Sequence, residues 1–140
     1  MSGKFKSHRH LVAWLDHHTA RIFSLRRQDS ETADKTVIEA SDTGRGNIHH
    51  HAGTPGPGHN PVDQGFLEKI SDAIGDANEI LLVGPAEAKY ALKSFLQIHR
   101  PHQALYVLGV EAMDQAGDAE IIAVARRFFA RTDRIAIPNV

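Results

Sequence analysis

Apolar residues recur along this chain in two rhythms, separated by a segment that has neither. His10-Leu11-Val12-Ala13-Trp14-Leu15-Asp16 is a nearly continuous β-rich run, and Ala20-Arg21-Ile22-Phe23-Ser24-Leu25-Arg26 follows it across the short polar turn His17-His18-Thr19. Two such runs with a brief polar join predict a β-hairpin. A third run, Thr36-Val37-Ile38-Glu39-Ala40, comes after the polar connector 28–35 and extends the hairpin to an antiparallel meander.

Beyond residue 61 the period lengthens. Asn60 is placed to cap a helix whose first turn holds Pro61 and Asp63, with Val62, Phe66, Ile70, Ala73 and Ile74 as its apolar stripe and Gly75 near its end. Glu79-Ile80-Leu81-Leu82-Val83 then predicts a buried strand, and Gly84-Pro85 opens a helix with Ala88, Ala91, Leu92, Phe95 and Leu96 inward. A strand over 104–110 leads through Asp114 and Gly117 into a last helix carrying Ile121, Ile122, Val124, Ala125, Phe128 and Phe129. Strand and helix in alternation imply parallel pairing with right-handed crossovers. The predicted fold is therefore α/β, with a mixed five-stranded sheet between helices in the order βββ-loop-αβαβα. Trp14, Phe66, Phe95, Phe128 and Phe129 occupy its core positions.

Composition narrows the function classes. The 140 residues carry 16 Lys and Arg against 17 Asp and Glu, so there is no basic excess of the kind that marks a dedicated nucleic-acid binder. Cysteine is absent, which removes disulfide frameworks, thiolate catalysis and Cys-ligated metal. No apolar run approaches the roughly 20 residues of a membrane span, and a cytoplasmic protein with no membrane partner is expected. Residues 1–9 and 132–140 read as tails around one domain over 10–131. Histidine is the unusual component: there are ten, with pairs at His8 and His10 and at His17 and His18, and a third group of His49, His50, His51 and His59. Imidazole gains charge as pH falls toward about 6.5, so the formal net charge of −1 understates what such a surface offers an anion.

The third histidine group lies in the segment without periodicity, 41–61, which also contains Gly44-Arg45-Gly46 and Gly53-Thr54-Pro55-Gly56-Pro57-Gly58. An aperiodic loop of about twenty residues inside a compact domain is usually functional or disordered. Two chemistries fit its residues. Imidazole and guanidinium planes stack on bases while glycine backbone meets phosphate, which suits RNA. Alternatively, His49 and His51, which share a face if the segment is extended, could hold zinc if His59 folds back, with a fourth ligand from Asp63 or Asp16.

The order of elements resembles that of ribonuclease H-like folds. It is also similar to the middle domain of archaeal and eukaryotic class-1 peptide release factors and of Pelota-type ribosome-rescue proteins. The whole chain resembles a family of small bacterial translational machinery proteins related to that domain. The residues carrying the resemblance are Trp14-Leu15-Asp16-His17, Ala20-Arg21-Ile22-Phe23, His49-His50-His51, Gly58-His59 with Gln64 and Phe66, and Ile80-Leu81-Leu82-Val83-Gly84-Pro85-Ala86 with Lys89. The resemblance implies a three-layer fold and a partner in the ribosome or another structured RNA. In release factors the loop after the third strand carries a Gly-Gly-Gln tripeptide that helps place the hydrolytic water. Here the corresponding place is Gly56-Pro57-Gly58-His59, which keeps glycines but not the glutamine.

What the resemblance implies is thus a ribosome- or RNA-binding protein without hydrolysis and without a required cofactor. Its contacts would come from Arg45, His49, His50, His51, Gly56, Gly58, His59 and Lys89. The alternative is a divergent hydrolase acting on peptidyl-tRNA or nucleic acid, with His59 as general base and zinc on His49, His51 and His59. A third reading is an interaction protein that takes a protein partner. The ribonuclease H likeness also raises two-metal hydrolysis, for which Asp16, Glu68 and Asp118 are the available carboxylates. The fourth strand, however, ends Val83-Gly84-Pro85, where an acid would complete that set.

Overall fold

The computed structural model describes residues 9–25, 34–40 and 62–136. Five strands and four helices are present among them: β1 (His10–Leu15), β2 (Thr19–Leu25), β3 (Asp34–Glu39), α1 (Gln64–Ile74), β4 (Glu79–Gly84), α2 (Ala88–His99), the short α3 (Pro101–Ala104), β5 (Val107–Ala112) and α4 (Asp118–Ala136). The strands form one sheet in the order β3-β2-β1-β4-β5. β1 pairs antiparallel with β2 and β2 with β3, whereas β4 runs parallel to β1 and β5 parallel to β4. The expected meander, alternation and α/β class are all present.

Central position explains the near-continuous apolar run of β1. A strand covered on both faces has no solvent side to mark with polar residues. Leu11, Ala13 and Leu15 point to one face, where with Ile22, Ile80 and Leu82 they meet Phe66, Ile70 and Ile74 of α1 and Leu92 and Leu96 of α2. Val12 and Trp14 point to the other and, with Phe23, Leu81 and Val83, meet Ile121, Ala125, Phe128 and Phe129 of α4. The result is three layers, α1 and α2 on one side and α4 on the other. All five aromatic residues assigned to the core are buried.

Three local boundaries differ from expectation. Asp63, not Asn60, caps α1: its Oδ2 accepts the Phe66 N–H at 2.9 Å, while Asn60 lies outside the described residues. An aspartate one position before the first helical residue satisfies an otherwise orphaned amide, and the helix starts where that bond forms. Gly84 closes β4 instead of opening a helix, and α2 starts at Ala88. The fifth strand begins at Val107, because Pro101 at the first position of α3 commits 101–104 to a helical turn. Gln103 holds that turn down, donating from Nε2 to the Ser71 and Gly75 carbonyls at 3.0 and 2.8 Å. At the other end of the chain, α4 runs to Ala136.

The β1–β4 pair is closely fitted at its carboxyl end. A Cβ built on Gly84 would stand 2.2 Å from the Leu15 carbonyl oxygen, a backbone atom with no freedom to yield. Gly84→Ala should therefore destabilise the fold by about 3 kcal/mol, read as a lower urea midpoint at unchanged slope. A midpoint equal to that of the unsubstituted protein would mean the two strands separate there at little cost.

Candidate functional site

β1, β3, β4 and β5 all point the same way, so Leu15, Glu39, Gly84 and Ala112 lie along one edge of the sheet. Open α/β sheets place ligands outside the carboxyl ends of their strands, where helices begin and connections cross. The segment 41–61 joins β3 to α1 at this edge, and both of its attachment points are fixed. On one side, the Ala40 N–H donates to the His18 carbonyl at 2.8 Å, tying the exit from β3 to the β1–β2 turn. That turn is itself held by Asp16, whose Oδ1 accepts the His18 and Thr19 N–H groups, each at 2.8 Å. On the other side Asp63 caps α1, with Val62 half-buried against the core below it.

Of the residues assigned to RNA contact, Arg45, His49, His50, His51, Gly56, Gly58 and His59 lie outside the described residues, as do the three histidines considered for zinc. Lys89 is described, and its surroundings change its reading. It is 3% exposed, in the first turn of α2, with Nζ donating to the Ala86 carbonyl and lying 4.7 Å from the centre of the Tyr90 ring. A carbonyl and an aromatic face are what a desolvated ammonium needs. Lys89 thus closes the β4–α2 turn from inside and its ammonium does not stand on the surface.

The three carboxylates considered for two-metal chemistry do not converge. Asp16 is spent on the β1–β2 turn, Glu68 faces Arg100 at 3.8 Å from the solvent side of α1, and Asp118 opens α4. No group of three or more His, Asp or Glu side chains arranged to hold a metal ion occurs among the described residues. A surface cavity of about 500 Å³ lies at the opposite edge of the sheet, lined by Gly75, Asn78, Gln103 and Tyr106 among others.

Asp118 belongs to a cluster that sequence periodicity does not reveal. Its Oδ1 accepts from Arg21 Nη1 at 2.9 Å and its Oδ2 from Lys35 Nζ at 2.6 Å, so one carboxylate binds β2, β3 and α4 together. Arg21 also donates to the Ala116 carbonyl at 2.9 Å and lies 4.7 Å over the Trp14 ring, while Trp14 Nε1 reaches the Asp114 carbonyl at 3.2 Å. The available signal is Arg21 itself, a charge set between the buried Ala20 and Ile22, which requires a partner. A second cross-element contact lies at the far edge, where His10 stacks on Phe129 at 4.4 Å between ring centres and meets Glu79 at 3.0 Å.

Comparison with solved structures gives neighbours that include two Pelota proteins. Pelota from Archaeoglobus fulgidus superposes with a TM-score of 0.58 over 89% of this chain at 14% identity. Pelota from Thermoplasma acidophilum gives 0.53 over 81% at 13%. The chain has a Pelota-like fold. It spans about a third of the length of these Pelota proteins, 32% of one and 30% of the other. No family model and no curated protein sequence matches it. No helix among the described residues is long and apolar enough to cross a membrane.

The Asp118 cluster has a defined pH signature. The hydrogen bond from Lys35 holds the Asp118 carboxyl below its ordinary range against a smaller opposing effect of burial, with the Arg21 hydrogen bond and both positive charges helping. A carboxylate depressed in the folded state stabilises the fold above its unfolded pKa of about 3.9 and loses that contribution as pH falls through the folded value. Asp118→Asn should cost about 1 kcal/mol at pH 7, modest because the group is partly exposed. The gap from the unsubstituted protein should close as pH falls below about 4. Paired thermal melts across that range test this; a gap independent of pH would assign the loss to something other than the charge.

Proposed function

We propose that this is a translation-related protein of the release-factor and Pelota type, and that it engages the ribosome or another structured RNA through the segment 41–61. The observation that carries the reading is the Pelota-like arrangement over most of the chain, with that segment leaving from the carboxyl edge between two fixed attachment points. A loop that must meet a large, rigid partner gains from ends that do not move, because less freedom is then lost on binding. The segment supplies Arg45, His49, His50, His51 and His59 as groups able to stack on bases or meet phosphates, and Gly56 and Gly58 as backbone that can come close.

The finer identity we propose is a member of the small bacterial translational machinery proteins, cytoplasmic and acting without hydrolysis. Gly56-Pro57-Gly58-His59 supports this, since it keeps the small residues of the release-factor tripeptide and replaces the water-placing glutamine with histidine. Lys89 is not among the contacts in this reading, because its ammonium is committed to Ala86 and Tyr90.

Sedimentation of the purified protein with ribosomes tests the reading. Binding should be present at about 50 mM salt and fall at least tenfold by about 200 mM, as expected when several phosphates are neutralised. The double variant G56A/G58A should lose the association while keeping its thermal midpoint within a degree or two of the original. Equal binding by the variant would remove the segment from the reading, and release of peptide from peptidyl-tRNA would replace it with hydrolysis centred on His59.

A further inference from the structure

The two edges of the sheet are built differently. β3 carries charges at three of its six positions, Asp34, Lys35 and Glu39, and an edge strand so decorated resists pairing with another chain. β5 has one charge, Glu111, and neither lysine, arginine nor proline. It pairs with β4 alone among the described strands. Leu105, Tyr106 and Leu108 are 77%, 45% and 41% exposed, and they are three of the six large hydrophobic side chains exposed among the described residues. A lightly charged edge with apolar side chains beside it has the character of a strand that receives another.

We propose that β5 is a self-association edge, joining a second copy of this chain through antiparallel β5–β5 pairing into a continuous ten-stranded sheet. Backbone direction and charge choose this occupant. The Met113 N–H is used by the Gly84 carbonyl of the β4 ladder. By the alternation of a strand, Glu111 also turns its backbone toward β4, and Val110 and Ala112 turn theirs outward. A two-fold axis through Val110 then brings outward-facing residues into register: Val110 meets its own copy, Glu111 falls opposite Gly109, and Ala112 opposite Leu108. The one charge therefore faces a position with no side chain instead of itself, and the largest exposed side chain in the strand faces the smallest outward-facing one. An axis one residue further along, at Glu111, would set two carboxylates against each other.

β5 carries one irregularity, at the start of this register. Between the pairs Ile80–Val107 and Leu81–Gly109, β5 has one residue more than β4, and that residue is Leu108. The bulge leaves Leu108 exposed while Gly109 stays close beneath the strand, a Cβ at that position standing only 2.8 Å from the Phe128 ring. Glycine at 109 is thus required by α4 within one copy.

Sedimentation velocity across concentrations from about 5 to about 500 μM tests the proposal, this being the range in which weak to moderate dimers dissociate. The expected result is a concentration-dependent shift from one chain mass to two. L108K and A112K, each placing a solvated charge on an exposed position, should weaken dimerisation at least tenfold with circular dichroism and melting unchanged, and T36K on the opposite edge should leave it intact. A single chain mass at every concentration overturns the proposal, as does a dimer that survives both lysine variants. A chain that stays monomeric but loses ribosome association on L108K would also overturn it, by giving the edge to a strand of a different protein.

Discussion

The parallel pairing of β1 with β4 is the constraint on which the rest of the molecule depends. It is buried on both faces, so each side chain of Leu11 to Leu15 belongs to one of two cores, and any slip of one residue would exchange the two sets. The contact of Gly84 with the Leu15 carbonyl fixes how far the two strands run side by side. From that point β1 turns through Asp16 into β2, and β4 turns through Ala86 toward α2. The carboxyl edge therefore inherits its geometry from the centre of the sheet, and the attachment points of the 41–61 segment inherit theirs from the edge.

Polar groups do different work on the two sides of this frame. On the α4 side, Asp118 binds two cations from neighbouring strands and Arg21 covers Trp14, so the edge strand β3 is secured to a helix that it barely touches through apolar contacts. On the α1 side, buried Ser71 accepts from Arg100 at 2.8 Å and donates to Gln103 at 2.5 Å, joining the end of α2 and the turn of α3 to α1. Both networks link elements that the backbone ladder leaves independent. Their energies are individually modest, but each replaces a contact that packing alone would have to supply.

The sequence makes the centre of this fold more legible than its joins. Continuous apolar runs locate β1 and β4, and period 3.6 locates α1, α2 and α4, because burial imposes those patterns directly. The start of β5 is misread since Leu105 and Tyr106 have strand-like character, while the decision is made by Pro101 and by a Gln103 amide that reaches a helix about thirty residues earlier. The cap of α1 shifts from Asn60 to Asp63 for a related reason: both residue types can cap, and only the fold says which amide is within reach. Lys89 is conspicuous as a cation near a strand end, yet nothing local reveals that the chain folds over it. As for the candidate site, the glycine and histidine pattern of 41–61 singles out that stretch of chain, whereas the anchoring of its two ends by His18 and Asp63 is a property of three dimensions.

The sealed position of Lys89 makes it a built-in timekeeper. A reagent that acylates amines from solution has access to the exposed Lys35 and Lys69, but it can meet this one only when the first turn of α2 lifts away from Ala86 and Tyr90. The rate at which that single amine is consumed would then count openings of the β4–α2 corner, the part of the scaffold immediately beside the edge from which the segment 41–61 departs.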